Sequence, residues 1–341
     1  MQRNGGISTY FAELANRMMR LRGESKLLMY GDNEASSSLP REVNRVETQP
    51  RPFERYRNVS IGGGGIFHSS YYRYSTGAGA LNVITAYDFT YERFQRGVRK
   101  WVHSWQKFRA IRKADAVICI SESTRNDLRA FLPDVPEEKV FVIPLAASDA
   151  FARLPADASD AAGNYVLFVG SRSGYKNFAL LVKALGLVPG VMLYVVGGGA
   201  FTNGEVSLIN RSIPGRHRYL GSVSVKQLNQ LYANAVCLVY PSVYEGFGIP
   251  VLEAMQSGCP VVALANSSMR EVAGGAARLL PDAEPVSLAT AIEKCLDPAV
   301  REEMLAAGFA RASRYSWERT FRETVSVYER LLGRQLLGAC D

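Results

Sequence analysis

The chain has 341 residues, of which 47% are hydrophobic, 21% charged and 10% aromatic, enough for two domains of about 150 residues and too apolar for a disordered tail. Its 30 Gly and 15 Pro show no collagen-like period. The 40 Lys+Arg against 32 Asp+Glu leave +8, an excess that suits an anionic ligand, a membrane surface or nucleic acid alike. The longest apolar runs, such as YVLFVG (165–170) and VMLYVVG (191–197), fall far short of the roughly 18–20 residues of a membrane-spanning helix. The start, MQRNGGISTY, lacks the apolar stretch of a signal peptide. Five scattered Cys (119, 237, 259, 295 and 340) read as buried thiols of a reducing compartment.

In chain order, Gly5 and Gly6 lead into a helix whose apolar residues, Ile7, Phe11, Leu14, Ala15, Met18 and Leu21, have helical spacing. LNVITAY (81–87), ADAVICI (114–120) and KVFVIPL (139–145) read as strands separated by helices, the last of them opened by the capping sequence SEST (121–124). Between the first two strands, residues 91–113 carry eight cations and a single acid, Glu92, and so hold nearly all of the net charge. The same segment sets Phe94, Val98, Trp101, Val102, Trp105, Phe108 and Ile111 at helical spacing. Two arrangements satisfy that pattern. One is an interfacial helix resting on anionic lipid at about 1 kcal/mol per cation; the other is a helix packed on the sheet with a solvated basic back.

Residues 146–163, AASDAFARLPADASDAAG, lose periodicity and read as a linker. Beyond it YVLFVG, VMLYVVGGG, RYLGSV, VCLVYP and PVVALA alternate with helical patterns of about ten residues, which predicts a second parallel sheet.

Several common machines are absent: there is no G-x-G-x-x-G, Walker A loop, G-x-S-x-G, C-x-x-C or D-x-D, and the three His (68, 103, 217) are too scattered for a zinc site. A diphosphate handled here would have to be neutralised by side-chain cations and backbone amides. In FVGSRSGYKNF (168–178) a strand ends at Gly170, and Arg172 and Lys176 stand where the next helix begins. That turn suits phosphate, and equally a solvated turn whose cations face water. In YPSVYEGFGIPVLEAMQSGCPVVA (240–263) a strand is followed by a loop with Glu245, Gly246 and Gly248 and a helix opened by Pro250, with Glu253 close behind. Glycines permit close backbone approach, amides at a helix start favour an anion, and carboxylates accept hydrogen bonds from sugar or ribose hydroxyls.

YEGFGIPVLEAMQSGCPVV, FVGSRSGYKNF and the N-terminal GGIS loop together resemble the retaining glycosyltransferases of family four, and SESTRNDL, RYLGSVSVKQLNQLYANA and SSMREVAG (267–274) extend the resemblance over nearly the whole chain. It implies an α/β protein of GT-B fold, with two Rossmann-like domains whose parallel sheets face across a cleft: residues 1–147 for the acceptor, 148–320 for the nucleotide-sugar donor, and a C-terminal helical segment, 321–341, packing back toward the N-terminal domain. Carried over residue by residue, Arg172 and Lys176 would hold the diphosphate and Glu245 would lie by the donor sugar, these three forming the catalytic set. Glu253 would take the ribose hydroxyls, the amides of Gly246, Phe247, Gly248 and Ile249 would contact sugar and phosphates, and Gly5 and Gly6 would close over the diphosphate. Transfer would retain configuration and use no metal and no cofactor.

Three departures from the family pattern stand out. The family carries a strand just before the GG loop, whereas this chain begins four residues ahead of Gly5, so the first strand of that sheet is expected to be missing. Tyr87–Asp88 stand where many members have His-Asp, and a tyrosine is a poor proton carrier at neutral pH. Gly275 stands where an Asp is frequent. Tyr71, Tyr72 and Arg73, with Tyr87 and Asp88, fall on the acceptor side; the first three suit stacking on a saccharide, or equally an aromatic patch against the core.

The resemblance leans toward members that build bacterial surface polysaccharides. It makes a GDP-sugar such as GDP-mannose the first expectation, a UDP- or dTDP-sugar the next, and a saccharide or polyprenyl-diphosphate-linked glycan the acceptor, at the cytoplasmic face of an anionic membrane. Competing readings are a nucleic-acid-binding module using residues 91–113, which would leave the second domain's motifs unexplained, a nucleotide-sugar epimerase of the same fold, and an inactive homologue. No nucleic-acid partner is expected.

Overall fold

A computed structural model describes residues 6–18, 20–21, 25–30, 44–48, 53–61, 64–154 and 163–338. The chain divides into two units, one made of the residues up to Leu145 together with those from Trp317, the other of Ala146–Ser316.

The first unit opens with α1 (Gly6–Met18), which buries Tyr10, Phe11, Leu14 and Ala15 on the stripe that the helical spacing predicts. β1 (Lys26–Tyr30) and β2 (Asn44–Thr48) pair in parallel. β3 (Gly65–Ser69) and β4 (Ala80–Ala86) lead to α2 (Thr90–Phe94) and α3 (Val98–Arg112), then to β5 (Ala116–Cys119), α4 (Glu122–Phe131) and β6 (Val140–Val142). β3 to β6 form a parallel sheet in that order. Every residue of β5 is buried, as a strand covered on both faces requires. Ser121 caps α4, its Oγ accepting from the Thr124 amide at 3.0 Å. Residues 91–113 are not one helix: the chain breaks at Gln95–Gly97, and Gly97, at φ 76°, restarts it as α3.

The second unit runs β7 (Tyr165–Val169), α5 (Phe178–Gly186), β8 (Met192–Val196), α6 (Asn203–Ser212), β9 (His217–Gly221), α7 (Val225–Asn234), β10 (Cys237–Tyr240), α8 (Ile249–Gln256), β11 (Val261–Leu264), α9 (Met269–Ala273), β12 (Arg278–Leu280), α10 (Pro285–Lys294) and α11 (Pro298–Ala312). Its parallel sheet has the order β12-β11-β10-β7-β8-β9. The chain works outward from β7 in one direction and returns to build β10, β11 and β12 on its other side, so β7 and β10 flank the point where strand order reverses. In open α/β sheets, the crevice beyond the carboxyl ends of two such strands is where ligands bind.

The described part of the expected linker is tethered to this unit. Ala152 exchanges backbone hydrogen bonds of 3.2 and 3.0 Å with the Asn229 side chain, and Phe151 packs edge-on to Tyr232. α12 (Trp317–Leu332) returns to the first unit, where the Thr320 hydroxyl donates to the Pro144 carbonyl at 2.7 Å and Tyr328 meets His68. The C-terminal helix therefore begins at Trp317, and residues 317–320, expected in the second domain, pack with the first because Trp317, Thr320, Phe321 and Tyr328 share its buried face. Cys119, Cys237, Cys259 and Cys295 are free and buried; Cys340 lies outside the described residues.

Candidate active site

The loops after β7 and β10 meet at the reversal point. Gly170 (φ 115°) turns the chain out of β7, and a short 3-10 turn, Gly174–Lys176, places Lys176 just ahead of α5. The Val243 amide donates to the Tyr175 carbonyl at 2.8 Å and so ties the two loops together. Lys176 Nζ then reaches Glu245 Oε1 at 2.5 Å and the Tyr240 hydroxyl at 3.4 Å. Two of the three residues expected to be catalytic are thus an ion pair, and 16% and 11% of their side-chain surfaces remain exposed.

The backbone around Glu245 is held by two serines. The Glu245 amide donates to Ser267 Oγ at 2.9 Å, and the fully buried Ser268 donates to the carbonyls of Glu245 (3.0 Å) and Phe247 (2.8 Å). Sequence reasoning quoted the SSMREVAG run without assigning these serines a role, and it missed Tyr240. Gly248 takes φ 107°, and a Cβ there would lie 2.4 Å from Met269 Cε. No side chain caps α8; Pro250 in its first turn has no N–H and the Val251 amide donates to the Gly248 carbonyl at 3.0 Å, so it is the positive end of the helix and the Ile249 amide that favour an anion here. Phe247 is buried edge-on to Tyr315, while Gly246 and Ile249 are partly exposed. One turn into α8, Glu253 accepts from the buried Tyr232 hydroxyl at 3.0 Å, and burial pushes its carboxyl up to about 7.

Arg172 is placed differently from the open phosphate clamp the turn suggested. Its Nε pairs with Glu205 Oε1 at 2.9 Å, Nη1 donates to the Gly197 carbonyl at 3.1 Å, and Nη2 to the Gly199 and Ala200 carbonyls at 2.8 and 2.7 Å. Only 3% of its side chain is exposed. The cause lies in the loop after β8, where Gly197, Gly198 and Gly199 all have φ between 74° and 80° and turn their carbonyls inward around the guanidinium. Of five N–H groups, one on Nη1 is left.

In the first unit the acceptor-side expectations are only partly met. Tyr72 (φ 28°) is buried in the core cluster with Phe89 and Ile111, so it is no stacking platform. Arg73 is spent on Glu54 (2.8 Å) and the Arg57 carbonyl (2.7 Å). Tyr71 packs against the same cluster with part of its surface free. Tyr87 is buried, and burial with Tyr10 and Tyr72 nearby pushes its phenol well above the ordinary value, so it neither presents its ring to a ligand nor serves as a base. Asp88 is half-buried; its Oδ1 accepts from the Thr90 amide at 2.9 Å, and its carbonyl from Lys107 Nζ. Gly6 is the exposed first residue of α1; Gly5 lies outside the described residues.

Two α/β units built on parallel sheets, one with a Lys–Glu pair at its strand-order reversal, have the architecture of the GT-B class of glycosyltransferases. Residues 155–308 match the family described as glycosyl transferases group 1, and residues 65–149 match glycosyltransferase family 4. Both matched segments are thus similar to glycosyltransferases. It is 34% identical to the O-antigen chain mannosyltransferase B of Escherichia coli over 236 residues, 64% of this chain and 61% of that protein. With the serotype-specific mannosyltransferase WbdA of the same species it shares 25% over 248 residues, 66% of this chain and 30% of that one. The matches span less than two thirds of both relatives. Among solved structures, Anabaena HepE in complex with UDP and glucose superposes with a TM-score of 0.76 at 17% identity, over 98% of this chain and 97% of that one. WaaG, a glycosyltransferase involved in lipopolysaccharide biosynthesis, gives 0.72 at 16% identity, over 97% of each chain.

Proposed function

We propose that the protein transfers a mannosyl residue from GDP-mannose to a saccharide acceptor carried on a polyprenyl diphosphate, with retention of configuration and without a metal, in building an O-antigen or similar surface polysaccharide at an anionic membrane face. The mannosyltransferases of Escherichia coli among the relatives support the sugar. The single observation that carries the transferase reading is the 2.5 Å Lys176–Glu245 pair at the β7/β10 reversal, beside the uncapped start of α8.

An incoming diphosphate draws Lys176 from Glu245 onto its phosphate oxygens, where the positive start of α8 and the last free N–H of Arg172 complete the neutralisation that a metal supplies in other enzymes. Glu245, relieved of its partner, accepts a hydroxyl of the donor sugar, and Glu253 accepts the ribose hydroxyls. Charge held on the leaving diphosphate is worth most as the sugar–oxygen bond stretches, so Lys176 contributes chiefly to the transition state. The acceptor hydroxyl attacks from the face the diphosphate leaves and gives its proton to an oxygen of the departing phosphate, which keeps the anomeric configuration.

The test is calorimetric titration of GDP, UDP, dTDP and ADP without metal, followed by product analysis with the matching mannose donor and a lipid-linked glycan. GDP binding that Lys176→Ala abolishes, with an α-linked product, supports the reading. Sugar isomers formed from donor alone would point to an epimerase, and no nucleotide binding by folded protein would overturn the reading.

A further inference from the structure

α3 is turned the opposite way from an ordinary amphipathic helix. Its inward face consists of Gln106, Lys107, Ala110 and Ile111, while Val98, Trp101 and Trp105 point outward with 78%, 77% and 56% of their surface exposed. Of the apolar residues whose spacing suggested a helix face, Ile111 lies in the core and Phe108 packs partly against it. The arrangement is stabilised from within. Lys107, completely buried, donates to Glu92 Oε2 at 2.9 Å and to the Asp88 carbonyl, with its Nζ 3.7 Å from the centre of the Phe89 ring. A hydrogen bond of 2.8 Å from Ser104 also reaches Glu92. Satisfying a buried ion pair so fully holds the helix in this rotation, and the tryptophans must therefore face away from the core.

Trp101, Trp105, Phe108 and Phe131 wall a groove of about 600 Å³, within the range of roughly 300–1,000 Å³ common for small-ligand sites. Its rim is cationic, formed by Lys100, Arg109, Arg112 and Lys113. Arg112 is shared with Asp134 at 2.7 Å, and Arg109 lies over the rings of Trp105 and Tyr74. Lys113, just past the C-terminal end of α3, and Arg96 and Arg99 at its N-terminal end have no ion-pair partner among the described residues. The one carboxylate on the groove, Glu92, is already neutralised by Lys107. An apolar trough with a net positive rim complements a molecule that has a hydrocarbon chain and an anionic head. Exposed Val98 beside two exposed tryptophans adds the aliphatic contact that a base-stacking surface does not need.

We propose that the α3 groove seats one acyl chain of an anionic phospholipid, with the phosphate held by the cationic rim, so that α3 lies in the headgroup layer of an anionic bilayer. This rests on the membrane part of the reading above and goes further, in giving the lipid a defined seat. Two of the protein's three tryptophans, Trp101 and Trp105, lie in the groove, and the third, Trp317, is buried in the core, so intrinsic fluorescence reports on the site.

The experiment uses the whole chain in two arms. In the first, protein is sedimented with vesicles of phosphatidylcholine alone or with 30% phosphatidylglycerol, the vesicle composition being an experimental choice of about a third anionic lipid. Binding is expected only to the anionic vesicles, with a blue shift of tryptophan emission, and is expected to fall at least about tenfold in Arg96→Glu/Arg99→Glu/Lys113→Glu, since each surface cation contributes about 1 kcal/mol. In the second arm, a short-chain phosphatidic acid below its micelle concentration is titrated, and saturable quenching or shift of emission is expected, lost in Trp101→Ala/Trp105→Ala with an unchanged thermal unfolding midpoint. Vesicle binding without saturable binding of the monomeric lipid overturns the groove and leaves surface docking standing. Absence of both overturns the two together. Tight salt-dependent binding of a random single-stranded oligonucleotide with no vesicle binding assigns the patch to nucleic acid instead.

Discussion

Two Lys–Glu pairs among the described residues have the same chemistry and opposite use. Lys107 and Glu92, 2.9 Å apart, have 0% and 2% of their side chains exposed and are closed in by Phe89. Lys176 and Glu245, 2.5 Å apart, keep 16% and 11% and sit in the loops after two strands, beside a helix start that no side chain caps. Burial separates the two. A charge with no access to water or ligand must keep its partner, because leaving it alone costs several kcal/mol, whereas a pair at a strand-order reversal can exchange its partner for a phosphate at little cost. The first pair sets the rotation of a helix; the second is poised for turnover.

The largest expected effect breaks the inner pair. Lys107→Met leaves Glu92 as an uncompensated buried charge and should lower the unfolding free energy by ~3–5 kcal/mol in urea titration, while Lys107→Met/Glu92→Leu should regain most of it. A loss below about 1 kcal/mol would mean the pair is wet and the contrast false. Next, Lys176→Ala should reduce turnover by about 10²–10³-fold, the loss typical of one donor to a developing charge, with little change in the urea midpoint. Equal damage to stability would make the second pair structural too.

A smaller effect is expected at Gly248, whose φ of 107° a Cβ disfavours. Gly248→Ala should cost ~1–3 kcal/mol and weaken nucleotide binding more than stability, because the Met269 methyl it meets can swing aside. The pH response sharpens the site further. Glu253, raised to about 7 by burial, takes up a proton on folding between the ordinary carboxylate range and pH 7. It therefore contributes stability that is complete at acid pH and is lost as pH rises toward 7. A ribose hydroxyl needs the ionised form, so nucleotide affinity should rise through about pH 7, and Glu253→Gln should flatten that rise in calorimetry. Glu92 runs the other way. Burial opposes its ionisation, but the nearby His103 ring, the charge and hydrogen bond of Lys107 and the Ser104 hydroxyl outweigh it and hold it at about 2, so its stabilisation is present at neutral pH and is lost only as pH falls through that value. The smallest effect is at α3: Trp101→Ala should change stability by no more than about 0.5 kcal/mol, against ~3–5 for Trp317→Ala.

Much of the architecture was legible because it rests on local patterns. Capping marked α4 behind Ser121, and apolar β-branched runs marked β5, β7 and β10. The turn holding Lys176 and the loop holding Glu245 were found by residue type and spacing, since glycines, a helix-opening proline and a nearby carboxylate are chemically required at fixed offsets. The partners of Arg172 were not legible, because they include carbonyls of the loop after β8, some 25 residues away, and no local pattern announces them. Tyr72 and Arg73 likewise resembled a binding surface in their own segment, until Glu54 and the core cluster claimed them.

What the chain determined by itself was the order of strands and helices, their periodicity and the residue types at the two strand ends, all of which follow from backbone sterics and apolar spacing along a few turns. Only the tertiary structure decided which strands adjoin, and hence that Lys176 meets Glu245 across 69 residues. It also decided which way α3 faces, because that rotation depends on a buried Lys107–Glu92 pair whose energy exists only where packing has removed the water.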